Sequence, residues 1–118
     1  MFERSGQVGP LAYGYLHIHG LTDDVVAALE DQLGSRAGEL GLTLVKIFAE
    51  SDRGTQAAFG DLLDELRRAR ADHVLVPTVC HFSAHPLLRA LMLGRLHRCT
   101  GAEVHAVVGS TTDTHPAG

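Results

Sequence analysis

Residues 73–77 read His-Val-Leu-Val-Pro, a short and almost unbroken apolar run set between two segments with helical periodicity. An apolar strand with no polar alternation is covered on both faces, and helices on both sides of a parallel sheet provide that cover. The rest of the chain repeats the alternation. Residues 12–18 mix small, aromatic and aliphatic side chains after Gly9-Pro10 and predict a first strand. Thr22 supplies an N-cap, with Asp23 and Asp24 in the first helical turn, where the helix dipole favours acids. Val25, Val26, Leu29, Leu33, Ala37 and Leu40 then give an apolar stripe that ends at Gly41.

A second strand is predicted over 42–49, and Ser51, Asp52 and Gly54 mark a loop into a helix over 56–70. The core face of that helix is Phe59, Leu62, Leu63, Leu66 and Ala69. Its acids (Asp61, Asp64, Glu65) and bases (Arg67, Arg68, Arg70) form a solvated outer face. Pro86 opens a further helix to about residue 98, and 103–108 forms the last strand. The fold class is therefore α/β: three layers, a mainly parallel sheet of about four to five strands, and helices on both faces. Residues 1–11 read as an N-terminal extension, 12–108 as the domain and 109–118 as a flexible tail. Ligands of such sheets bind beyond the carboxyl ends of the strands, where His17, His19 and residues 78–85 should converge.

Composition narrows the function. The 118 residues, 45% hydrophobic and 20% charged, suffice for one domain burying roughly two thirds of its unfolded surface. A net charge of −4 disfavours DNA or RNA as a partner, since counterion release needs a basic stripe. Cys80 and Cys99 make no disulfide framework and are expected to be buried, so a reducing cytoplasm is the expected compartment. Met1 to Pro10 shows no signal-peptide pattern, and no apolar run reaches membrane-spanning length. Nine of the ten basic residues are arginine, Lys46 being the sole lysine, which suits a GC-rich bacterial genome.

Five stretches carry a further pattern. They are Gly14-Tyr15-Leu16-His17-Ile18-His19, the first helix with Gln32, residues 41–48, Gln56-Ala57-Ala58-Phe59, and Val79-Cys80-His81-Phe82-Ser83-Ala84. In order and position they resemble the catalytic domain of serine recombinases, the resolvase and invertase group. The resemblance covers residues 12–108 and implies that family's α/β fold. It also implies a chemistry in which a serine hydroxyl attacks a DNA phosphodiester and arginines stabilise the developing charge.

The residues for that chemistry are replaced. His19 stands at the nucleophile position and His17 at the strand arginine. Gln56 opens the second helix, Cys80 replaces an aspartate, and His81 and Ala84 replace two arginines. The resemblance thus implies a pseudo-enzyme without DNA strand exchange, reused as a regulatory or protein-interaction module. The family continues into a long helix and a DNA-binding domain near the point where this sequence stops. Uncovered apolar surface and self-association, with homodimerisation the simplest form, are the expectation. Leu87, Leu88, Leu91 and Met92 are the surface candidates, although their spacing equally suits a core face, which is the favoured reading.

Imidazole and thiol at one former active site also suggest a metal. His17, His19 and His81, with Cys80 or His85, are candidate ligands for zinc or another first-row ion, in a regulator or a metal-dependent hydrolase. Neighbours on a strand two residues apart share a face, which would pair His17 with His19. The competing reading leaves these histidines as vestiges of lost arginines, hydrogen-bonded to neighbours or water.

Overall fold

In a computed structural model, which describes residues 9–52 and 56–108, four strands and three helices alternate along the chain. They are β1 (Leu11–His17), α1 (Asp23–Glu39), β2 (Thr43–Glu50), α2 (Ala57–Ala69), β3 (His73–Val76), α3 (Pro86–Thr100) and β4 (Glu103–Ala106). All strand pairs are parallel, and the order is β2-β1-β3-β4. The expected extension before residue 9 and the tail 109–118 lie outside the described residues.

The order dictates the layers. The chain steps from β1 to β2 in one direction and then from β2 past β1 to β3 in the other. Keeping every crossover of one hand requires the connecting helices to lie on opposite faces. Accordingly, α1 buries Leu33 and Ala37 against Ala12, Leu16 and Leu75 on one face. On the other face, Phe59, Leu62, Leu63 and Leu66 of α2 and Met92 and Leu96 of α3 pack against Tyr13, Tyr15, Val74 and Val76. Each fully buried aliphatic side chain contributes about 1.5–3 kcal/mol. Gly14, central in β1, lets α1 approach closely: a Cβ there would come within 2.9 Å of both Leu33 Cδ1 and Ile47 Cγ1.

Helix ends follow local chemistry. Thr22 Oγ1 accepts from the Val25 N–H at 3.3 Å. At the far end of α1, Gly41 has φ +71°, while Gly41 and Leu42 donate to the Gly38 and Ala37 carbonyls. Those are the paired bonds of a Schellman stop. Gln56 makes no side-chain cap for α2. The carboxylate of Glu50, 2% exposed at the end of β2, substitutes for it by accepting from the Ala58 and Phe59 N–H groups at 3.0 and 3.2 Å. A negative charge at a helix N-terminus is favourable, which explains an acid in the core.

Three expectations are corrected. Val25 and Leu40 of the α1 stripe are exposed; Val25 lies in the first turn of α1 and Leu40 is its C-cap residue. On α3, Leu87, Leu88 and Leu91 are exposed and only Met92 is buried, so the core-face reading fails for three of the four. Leucines on nearly every side of α3 left its inner face ambiguous. Both Cys80 and Cys99 are exposed free thiols, one at a sheet-edge turn and the other on the outer side of α3.

Candidate functional site at the carboxyl edge of the sheet

The connections that leave β1 and β3 run in opposite directions across the sheet, and such a switch point opens a crevice at the carboxyl ends of the two strands. Here it is a cleft of about 710 Å³. His17, His19, Gln56, Cys80, His81 and Ala84 all line it, with Thr78 and Ser83; Leu21, Val25, Leu29, Phe82, Leu88 and Met92 form its apolar walls. The six positions singled out by the sequence resemblance therefore meet in one place. No lysine or arginine lines the cleft among the described residues.

Each polar group is held by the local fold. His17 is the last residue of β1, and its backbone N–H donates to His81 Nδ1 at 3.0 Å. The His81 ring stands on a single 3-10 turn (Val79–His81) after β3. Phe82 anchors this turn by stacking on Tyr15, with centroids 5.3 Å apart and planes at 12°. Burial, then the neighbouring His17, keep the His81 pKa below the ordinary imidazole value. The ring is thus neutral at neutral pH, with the Nδ1 lone pair occupied and the proton on Nε2.

His19 lies beyond the strand. Leu21 N–H bonds back to the Ile18 carbonyl and Gly20 takes φ +79°, so β1 has already turned and strand alternation no longer relates His19 to His17. The exposed His19 has Nδ1 3.3 Å from the Ser51 carbonyl, to which it donates. Cys80 Sγ accepts from Arg89 Nη1 at 3.4 Å. His85 stays outside the cleft lining and caps α3, its Nδ1 accepting from the Leu88 N–H at 3.5 Å. Ser83 Oγ accepts from the His85 N–H and closes the same turn.

The five candidate metal ligands share a region without forming a ligand set. Among the described residues, no three of His17, His19, Cys80, His81 and His85 bring donor atoms within 4.8 Å of one another. His81 would also have to give up its bond to His17 and change tautomer before Nε2 could bind an ion.

Sequence reasoning missed Glu50. Besides capping α2, its carboxylate accepts from Tyr15 Oη at 3.2 Å, and burial together with that carboxylate pushes the phenol well above its usual pKa. Glu50 fixes the end of β2 to β1 and to the start of α2, and so supports the cleft from behind. Its signal in sequence was slight: an acid ending an apolar strand shortly before a helix that has no capping residue of its own.

Comparison with solved structures places the fold. The C-terminal catalytic domain of ISC1926 TnpA, an IS607-like serine recombinase, superposes with a TM-score of 0.67 at 15% identity, over 88% of this chain and 74% of that one. A resolvase family site-specific recombinase from Streptococcus pneumoniae gives 0.65 at 13% identity, over 84% and 72%. No family model and no curated protein matches the sequence. The chain has the serine recombinase catalytic fold, a mainly parallel four-stranded sheet with helices on both faces.

Proposed function

We propose that this chain is a serine-recombinase-fold domain that does not perform DNA strand exchange and acts as a self-associating, regulatory protein-binding module of the cytoplasm. The observation that supports this reading is the lining of the cleft. Attack on a phosphodiester concentrates negative charge on the transferring phosphate, and fixed cationic donors are the means of stabilising it. The cleft offers a neutral His81, apolar walls, and His19, His17, Gln56 and Ala84 where the resemblance puts a serine and arginines.

The same edge carries an apolar rim. Leu87 and Leu91, one turn apart on α3, are 65% and 59% exposed, and Leu88, Leu21 and Val25 continue the patch into the cleft. Covering two such leucines contributes about 1.5–3 kcal/mol each, and a second copy, presenting the same helix, is the simplest cover.

Sedimentation velocity over a wide concentration range, with wild type and the double variant Leu87→Glu/Leu91→Glu, tests the association. The expected result is a concentration-dependent dimer that the double variant lacks. A monomer at every concentration overturns self-association. Retardation of duplex DNA near physiological salt, or a covalent protein–DNA adduct on a denaturing gel, overturns the non-catalytic reading.

A further inference from the structure

A second group of titratable side chains lies at the opposite, amino-terminal edge of the sheet. His73 opens β3 and Glu103 opens β4, and the two are register partners in the parallel pair. His105, two residues along β4, shares the Glu103 face, because alternate strand residues point to the same side. These three are the one trio of His, Cys, Asp or Glu among the described residues whose donor atoms all lie within 4.8 Å of one another. His73 Nδ1 and His105 Nε2 are 3.0 Å apart, and the rings are stacked with centroids at 5.2 Å.

We propose that His73, Glu103 and His105 form a binding site for a divalent first-row transition ion, with Zn2+ the natural probe. Bonds of about 2.0–2.1 Å to a shared ion set cis nitrogens about 2.9–3.4 Å apart, so the imidazoles already stand at ligand–ligand separation. The two rings share one hydrogen bond, so one facing nitrogen carries a proton; moving that proton to the other nitrogen of its ring, with small ring rotations, turns both lone pairs onto one ion. Two imidazoles and one carboxylate are a donor set suited to zinc, nickel, copper or iron(II), with the remaining positions open to water. Both histidines are half-buried and Glu103 is exposed, on an edge strand reached directly from solvent.

The surroundings are compatible with a cation. Glu103 supplies a carboxylate beside both imidazoles. Arg36 of α1 is the nearby charge of the wrong sign, and it is paired with Glu39 at 3.0 Å. The site is independent of the cleft, with which it shares no residue.

Zinc retained after equilibration and desalting, measured by plasma mass spectrometry on the untagged full chain, tests the site. One equivalent is expected, with affinity reduced about tenfold or more by His73→Ala or His105→Ala and unchanged by His17→Ala/His81→Ala. No retained zinc in the wild type, or loss in the His17/His81 variant with retention in both others, overturns the proposal. Substitution by Co2+ in the wild type covers the case of a variant that fails to fold. The expected spectrum lacks the thiolate charge-transfer band that ligation by Cys80 or Cys99 would give; that band would overturn the assignment.

Discussion

The two edges of one sheet use the same residue types in opposite ways. At the carboxyl edge, His81 accepts from the His17 backbone, His19 donates to the Ser51 carbonyl and His85 caps α3, so these three imidazoles are bonded to the main chain. At the amino edge, His73 and His105 face each other with Glu103 beside them, because two strands in register bring them there. A cluster of histidines is therefore not in itself a metal site. Its potential depends on whether the main chain already holds the rings; His73 and His105 hold each other instead.

The largest expected effect separates the edges by stability. Phe82→Ala removes the ring that packs the 3-10 turn onto Tyr15 and Phe59, and should cost about 3–5 kcal/mol in chemical denaturation. Zinc retention at the other edge should survive it at temperatures where the variant remains folded. Next, His81→Ala leaves the His17 N–H without its acceptor and should cost about 1–3 kcal/mol, while His105→Ala stays within about 1 kcal/mol. Equal costs would erase the distinction.

Acid should sharpen it. The His81 pKa is lower folded than unfolded, so the unfolded chain binds more protons between the two values. That contribution to stability is present above about pH 6.5, the unfolded value, and is lost as pH falls toward the folded one. Denaturation curves across this window should show a pH slope that His81→Ala reduces. The smallest effect on stability belongs to the rim: Leu87→Glu should shift unfolding by no more than about 0.5 kcal/mol while weakening self-association.

Much of the scaffold was legible because it rests on local periodicity. The α2 core face Phe59, Leu62, Leu63 and Leu66, the apolar β3 and the Thr22 cap are all patterns within one element. The convergence of His17, His19, Gln56, Cys80, His81 and Ala84 on one cleft was legible through the resemblance and the strand-end rule. The remainder depends on partners far apart in sequence. Glu50 gains its role only when β2 ends beside Tyr15 and α2, and nothing local marks a buried acid. His73 and His105 meet through the register of β3 and β4, which their composition does not encode. The tautomer of His81 depends on a 3-10 turn that no helical or strand period announces.

The contrast between the edges is tested most directly by long-range 1H–15N correlation spectra of the histidine rings, recorded without and with one equivalent of Zn2+. The expected spectra show a neutral His81 with its proton on Nε2, unmoved by zinc, and zinc-induced shifts at His73 and His105. Zinc shifts at His17, His19 or His81 with none at His73 and His105 would contradict it.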